Sequence, residues 1–299
     1  MQDAIRDAVR DNYGQLARGS DALDAEKLAA VAKAFGYSAE ELASLPEAAN
    51  LGVSCGNPVA MASLAPGETV VDLGSGGGLD VFLAAKVVGP SGRAIGIDMT
   101  GDMIALARRN AEAGGYVNAE FHQAPIEAMP LAEGVADCVI SNCVINLVPD
   151  KDAAYAEIFR ILKPGGRLAI SDIALTQPLP DSLAGAARAW VACIAGAVPV
   201  HETRAALERA GFGEIAVIDA RADLNVYKGE GGADMCCAPA ASAEPASCCA
   251  PAPKPQAASC CASASGAEPS FHDDVSDFFR DVDLNAYAAS VKIFAVKPR

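Results

Sequence analysis

Short apolar runs alternate with longer amphipathic stretches through most of this chain. Val70–Leu73 is a short and mostly apolar run, as a buried strand would be, whereas residues 79–88 carry apolar side chains at helical spacing. Such strand and helix patterns alternate along the sequence, which favours a mostly parallel, doubly wound, Rossmann-like α/β sheet. Strands are predicted over 70–73, 93–97, 119–122, 136–141, 167–172 and 214–219, and helices over 79–88, 102–113, 152–162 and 202–210.

Glycine and proline indicate how some of these elements connect. Gly114-Gly115 predict a left-handed end for the second helix, because glycine adopts that backbone conformation without steric cost. Lys163-Pro-Gly-Gly166 predicts a tight turn before the fifth strand. Near the N-terminus, Ser38-Ala-Glu-Glu41 has the spacing of a capping box and predicts the start of a short helix.

The pattern changes at both ends and divides the chain into four predicted parts. Residues 229–270 form a low-complexity stretch that is rich in Ala, Pro, Ser, Gly and Cys, and this composition predicts a flexible arm. After it, Phe278 and Phe279 are expected to anchor an acidic segment, and Val291–Val296 alternates like an antiparallel edge strand that completes the sheet. The parts are a helical extension over 1–50, the α/β domain over 51–228, the arm over 229–270 and the final segment over 271–299.

Composition and charge narrow the class of partner. The chain has 299 residues and a net charge of −15, which argues against nucleic acid and anionic membranes as partners. Its most apolar stretch, 186–200, is too short to span a bilayer, and the charged N-terminus does not resemble a signal peptide. We therefore expect a cytoplasmic protein. Its 10 cysteines are then more often reduced, metal-binding or catalytic than paired in a disulfide framework.

A glycine-rich loop between the first strand and first helix predicts a nucleoside site. Gly74, Gly76 and Gly78 follow the strand, but Leu79 stands where a dinucleotide fingerprint has its last glycine. The loop therefore favours a cofactor smaller than a dinucleotide over a purely structural turn. Asp98, at the end of the second strand, is placed to accept hydrogen bonds from ribose hydroxyls.

Cysteines supply the candidate chemistry. Cys143 follows the fourth strand, where ligands sit in open α/β sheets, whereas Cys138 lies within that strand, faces the other way and is expected to be structural. For Cys55 and Cys193 taken alone, packing and ligand binding remain equally open. The arm repeats a vicinal pair every 12 residues; either these are incidental thiols or, as we favour, a metalloid-capturing arm, and the spacing is not that of a zinc site. The pairs are Cys236 and Cys237, Cys248 and Cys249, and Cys260 and Cys261.

The glycine loop, read with its flanking residues, resembles a known signature. Asp72-Leu-Gly-Ser-Gly-Gly-Gly78 followed by Gly96-Ile-Asp-Met99 is similar to the motifs of class I S-adenosylmethionine-dependent methyltransferases. That resemblance implies that the loop lies under the methionine part of S-adenosylmethionine and that Asp98 holds the ribose. It also implies that Ile126 and Glu127 flank the adenine and that Asn142 lines the methionine end.

The cysteine segments resemble one family within that class. Gly52–Pro58, Ser141–Lys151 and Trp190–Ala197 are similar to the three arsenic-ligand segments of arsenite methyltransferases, and Tyr13-Gly14-Gln15 is similar to the segment that closes over the cofactor there. The family's usual fourth cysteine has no counterpart between Gln15 and Ser54. The resemblance implies that the thiolates of Cys55, Cys143 and Cys193 bind trivalent arsenic, as arsenite or its glutathione conjugate. Soft thiolates suit a soft ion.

The expected activity is therefore methyl transfer from S-adenosylmethionine to arsenic, giving mono- and dimethylated arsenicals in arsenic detoxification. A thiol reductant such as thioredoxin or glutathione would serve it. One alternative is a class I methyltransferase acting on carbon or oxygen of a small organic molecule, which would need a base near the methyl group. Another is a metalloid-binding protein, which would have no use for the predicted nucleoside pocket.

Overall fold

A computed structural model of the chain describes residues 2–19, 24–184, 186–228 and 271–299. The strand and helix alternation predicted from the sequence is confirmed, with most boundaries shifted by one or two residues. The strands are β1 Thr69–Leu73, β2 Arg93–Asp98, β3 Ala119–Gln123, β4 Ala136–Asn142, β5 Leu162–Leu175, β6 Gly213–Asp219 and β7 Ala288–Val296. The helices are α1 Gln2–Arg18, α2 Ala25–Ala34, α3 Ala39–Ala43, α4 Pro58–Met61, α5 Leu79–Val88, α6 Gly101–Gly114, α7 Lys151–Ile161, α8 Asp181–Ala184, α9 Ala187–Val191, α10 Val200–Ala210 and α11 Phe271–Phe279.

The seven described strands form one sheet in the order β3-β2-β1-β4-β5-β7-β6. The pairings among β1 to β5 are parallel, whereas β7 pairs antiparallel with both β5 and β6. The mostly parallel sheet with an antiparallel last strand is thus confirmed. The expectation that the last strand forms an edge was wrong, because β7 lies inside the sheet. Alternation in a strand reveals which face is buried and does not reveal its lateral position.

The segment at 163–166 also differs from its prediction. It does not form a turn that separates a helix from a strand, because β5 runs through it from Leu162. Ala136 of β4 pairs with Leu162, and Cys138 pairs with Arg167. The residues of β5 between these two partners therefore form a bulge. Gly165 donates to the Lys297 carbonyl at 2.8 Å, and Lys297 donates to the Gly166 carbonyl at 2.9 Å. Continued pairing beside β7 keeps the bulge within the sheet.

Helices cover both faces of the sheet, as a doubly wound fold requires. On one face, buried side chains of α7 and α10, including Tyr155, Ile158 and Leu207, pack against β1, β2 and β5. On the other face, α5 and α6 pack against the opposite side of the same strands, and Cys138 belongs to this layer with no exposed surface. The expected orientation of Cys138 away from Cys143 is therefore confirmed.

The terminal segments meet over the carboxyl edge of the parallel strands. A third buried cluster contains Val9 of α1 and Phe279 of α11 together with Cys55, Cys143 and Cys193. Phe279 is 1% exposed, which confirms it as an anchor, although the sequence pattern had not predicted helix α11. The two ends of the chain thus close the edge where ligands bind in folds of this kind.

None of the helices in the described parts of the chain is long and apolar enough to cross a membrane.

Candidate active site

A cleft opens at the carboxyl edge of β1, β2 and β4, under α1, and its empty volume is about 790 Å³ when the part open to solvent is included. Most of the residues predicted to bind a cofactor line it. They are Tyr13, Gly74, Gly76, Asp98, Met99, Ile126, Glu127 and Asn142, and Cys143 lines the same cleft. Asp72, which is buried in β1, and Gly78, which caps the start of α5, are not among the described residues that line it. The cleft therefore joins the predicted nucleoside site to one of the predicted arsenic ligands.

The glycine loop has no room for side chains at two of its glycines. Gly74 has φ of +66°, and a Cβ there would lie 2.4 Å from a methyl group of Val144. Gly78, with φ of +96°, starts α5 in a left-handed conformation that glycine adopts freely. At the loop, the cleft is therefore lined by backbone atoms and not by side chains.

Asp98 ties this loop to the end of β2. One carboxylate oxygen accepts a hydrogen bond from Gly76 N–H at 3.0 Å, and the other accepts from Thr100 N–H at 2.8 Å. Burial raises the pKa of Asp98, while these two backbone donors lower it. Each carboxylate oxygen can accept a further hydrogen bond, so the side chain keeps acceptors for hydroxyl groups in the cleft.

Helix α1 covers the far end of the cleft. Its Arg6 forms an ion pair with Glu127 at 2.8 Å, and both residues line the cleft. Tyr13 lies about two turns further along α1. It donates a hydrogen bond from its hydroxyl to the Val191 carbonyl at 3.2 Å. The N-terminal helix is thus attached to both the predicted adenine end and the segment that carries Cys193.

A buried polar network lies behind the loop. Tyr37 donates to Asp80 at 2.7 Å, and the Asn142 side-chain amide lies 2.8 Å from the Tyr37 hydroxyl and 3.1 Å from Asp80. Burial raises the pKa of Asp80 to about 6, although the hydrogen bonds from Tyr37 and Asn142 lower it. Burial also raises the pKa of Asp72, and the nearby charges of Asp80 and Asp98 add to that shift. The raised pKa values mean that these buried acids lose their negative charge at a higher pH than exposed carboxylates do.

Cys55 and Cys143 face each other beside the cleft. Their sulfurs are joined as a disulfide, with a Cα–Cα separation of 5.6 Å. Arsenic binding by the two thiolates of the reduced pair stays a prediction. Cys143 has φ of +59°, an uncommon conformation for a residue with a side chain. Its N–H donates to the Ser171 carbonyl at 2.8 Å, which continues the pairing of β4 with β5 past the strand end.

Cys193 lies on the other side of Cys143. It follows α9 with φ of +62°, and its thiol donates to the Cys143 carbonyl at 2.8 Å. Burial raises the pKa of Cys193 well above its usual value, and the Asp172 charge raises it further. Three cysteine segments that are far apart in the sequence therefore meet at one point of the fold.

Asp172 is a member of this group that the sequence analysis missed. One of its carboxylate oxygens and the sulfurs of Cys55 and Cys143 all lie within 4.8 Å of one another. Burial raises the pKa of Asp172 to about 7, against hydrogen bonds donated by the backbones of Ile173 and Asn146. The signal available in the sequence was the polar pair Ser171-Asp172 at the carboxyl end of an apolar strand. The six arm cysteines, 236 to 261, lie outside the described residues.

Comparisons with known proteins concern the domain that carries this cleft. Residues 64–211 match the family described as a methyltransferase domain. An arsenite methyltransferase of Halobacterium salinarum is 43% identical over 222 residues, which are 69% of this chain and 57% of that protein. One from Aquipseudomonas alcaligenes is 33% identical over 216 residues, which are 70% of this chain and 62% of that protein. The chain thus spans somewhat less than two thirds of the length of these curated relatives.

A solved structure gives a similar fold. The arsenic(III) S-adenosylmethionine methyltransferase of Chlamydomonas reinhardtii superposes with a TM-score of 0.53, at 24% sequence identity. The match covers 90% of this chain and 73% of that one. At this identity the likeness concerns the fold.

Proposed function

Because this chain carries a methyltransferase domain and is related to the arsenite methyltransferases, we propose that it transfers methyl groups from S-adenosylmethionine to trivalent arsenic. The observation that carries the proposal is the position of Cys143. It lines the same cleft as the glycine loop and Asp98, and it lies directly beside Cys55 and Cys193. A metalloid bound by these sulfurs would adjoin the space that a cofactor occupies.

The residues in the cleft fit S-adenosylmethionine, which supplies an activated methyl group on a sulfonium. We assign the ribose hydroxyls to Asp98, whose carboxylate lines the cleft, and the adenine to the part of the cleft near Ile126 and Glu127. The backbone of Gly74 and Gly76 lies next to the methionine portion. In their ionised forms, the acids beneath the loop would favour a ligand that carries positive charge.

Arsenic capture follows from thiol chemistry. As each arsenic–sulfur bond forms, one hydroxyl of arsenous acid leaves as water with the thiol proton. Cys55, Cys143 and Cys193 would hold the arsenic in a pyramid, with its lone pair on the open side toward the cleft. Fixing that lone pair in line with the methyl carbon is the main task of the protein, and such positioning can supply about 7–11 kcal/mol.

The disulfide between Cys55 and Cys143 sets a condition on this reaction. Both sulfurs must be reduced before they bind arsenic, so two electrons and two protons have to come from two molecules of a thiol such as glutathione, or from one dithiol such as thioredoxin. We propose that the reaction takes place in the cytoplasm, where such thiols are abundant. Residues 1–50 would serve as the cofactor cover and the cysteine pairs within 229–270 as a capturing arm.

The experiment that tests the function is incubation of the reduced protein with arsenite, glutathione and methyl-labelled S-adenosylmethionine, followed by separation of the arsenic species. We expect label in mono- and dimethylated arsenicals. Labelled small organic products together with unmodified arsenite would favour the carbon or oxygen methyltransferase instead. Bound arsenite without label transfer would favour the metalloid-binding protein.

A further inference from the structure

The loop that carries Cys55 is held at both of its backbone polar groups. Cys55 N–H donates to the Asn142 side-chain oxygen at 3.0 Å, and the Ser290 hydroxyl donates to the Cys55 carbonyl at 2.8 Å. Asn142 ends β4 and Ser290 lies in β7, so two strands grip the loop. Neither of these contacts involves the sulfur, so both would persist when the disulfide is reduced.

The same loop also lies close against β5. Gly56 follows Cys55, and a Cβ at this glycine would lie 2.3 Å from the Ser171 hydroxyl. The Asn142 amide also donates to the Gly56 carbonyl at 2.8 Å. Ser171 in turn accepts the Cys143 N–H through its backbone carbonyl. Ser171 of β5 therefore contacts the Cys143 backbone directly and the Cys55 loop through Gly56.

Packing alone does not account for the hydroxyl of Ser290. The residue is 1% exposed, and its neighbours in β7 are Ala289 and Val291, so an alanine would suit the position. Removing a hydroxyl from water is unfavourable unless a hydrogen bond replaces the lost one. The Cys55 carbonyl is the acceptor that compensates for this burial, and it lies 235 residues away in the sequence.

We propose that Ser290 is a positioning residue that, with Asn142, fixes the Cys55 sulfur opposite Cys143 for metalloid capture. Its link to arsenic rests on the proposed function. We call the hydrogen bonds from Ser290 and Asn142 to the Cys55 backbone the clamp. The claim that underlies the proposal concerns only the two sulfurs: the clamp raises the effective concentration of one thiol at the other. Two thiols that are oriented before they meet their ligand need less ordering when they bind it.

Ser290→Ala in the full chain is the test, with Ser141→Ala as a matched control. Ser141 is also a buried strand serine, but its hydroxyl contacts the Leu73 carbonyl of β1 at 3.3 Å and not the Cys55 carbonyl. The first measurement is the Cys55–Cys143 disulfide equilibrium in glutathione buffers, quantified by peptide mass mapping. We expect Ser290→Ala to lower the effective thiol concentration about three- to tenfold, the scale of one lost hydrogen bond.

Three further results sharpen the test. Ser290→Thr keeps the hydroxyl and should recover part of the loss. Gly56→Ala leaves Ser290 in place, but it should push the loop away from β5 and lower the effective thiol concentration. The apparent KM for arsenite should rise in Ser290→Ala, with little change in kcat and in the dissociation constant of the cofactor product. A disulfide equilibrium equal to wild type in both Ser290→Ala and Gly56→Ala would overturn the clamp. If the protein does not methylate arsenite, the disulfide measurement still decides the clamp.

Discussion

Asp98→Ala should weaken binding of the cofactor substantially, since this carboxylate connects the glycine loop to the cleft. Its two oxygens each accept one backbone hydrogen bond, from Gly76 and Thr100, and each retains acceptor capacity toward the cleft. A hydrogen bond to a charged group contributes about 1.5–3 kcal/mol. Because 1.4 kcal/mol is a tenfold change, we expect the dissociation constant to rise about 10- to 150-fold.

Loss of the bond to Gly76 would act in the same direction, because the loop would no longer be held against β2. The assay is isothermal calorimetry with S-adenosylhomocysteine, which binds without turnover. Asp102→Ala is the matched control, since it removes a carboxylate near the start of α6 that pairs with Arg18 on the surface. A change of less than twofold in Asp98→Ala, or an equal loss in Asp102→Ala, would refute the assignment of the ribose to Asp98.

Three other sets of changes to the chain test separate parts of the account. Cys143→Ser should abolish methyl transfer to arsenite and leave cofactor affinity nearly unchanged. Cys138→Ser, in the opposite layer, should lower the free energy of unfolding by about 1–3 kcal/mol without selective loss of arsenic binding. An equal loss of arsenic affinity in both variants would contradict this. Deleting 230–270, or replacing the six arm cysteines by serine, should leave kcat intact and raise the arsenite KM, and unchanged kinetics at low arsenite would reduce the arm to a linker. Asp172, with its pKa raised to about 7, keeps a proton that the unfolded chain loses near about pH 4. Its contribution to stability should therefore decline as pH rises from about 4 to about 7, so Asp172→Asn should flatten the unfolding free energy over that range, and an identical slope in both proteins would refute the shift.

Much of the fold could be predicted because its local signals agree with one another. The capping box at Ser38 is present with both reciprocal hydrogen bonds, and Gly115 ends α6 in the left-handed conformation. Helix α5 begins and ends at the predicted residues. The position of β7 inside the sheet was not predictable, since strand order depends on contacts between segments that are far apart in the sequence.

The candidate site divides in the same way. Cys143 and Asp98 could be found because each follows a recognisable strand and therefore lies at the ligand edge of the sheet. Asp172 was missed because burial, rather than a motif, brings its carboxylate beside the sulfurs. Ser290 gives no signal in the sequence, because its role depends on a single carbonyl at the opposite end of the chain.

The central claim is that three cysteines of the α/β domain hold the arsenic at the cleft. Arsenic K-edge X-ray absorption measures it directly on the reduced full chain with all six arm cysteines replaced by serine and one equivalent of arsenite bound. We predict a first shell of three sulfurs, falling to two sulfurs and one oxygen when Cys55, Cys143 or Cys193 is replaced by serine. A first shell made of oxygen alone, or three sulfurs that persist after each of these replacements, would contradict the account.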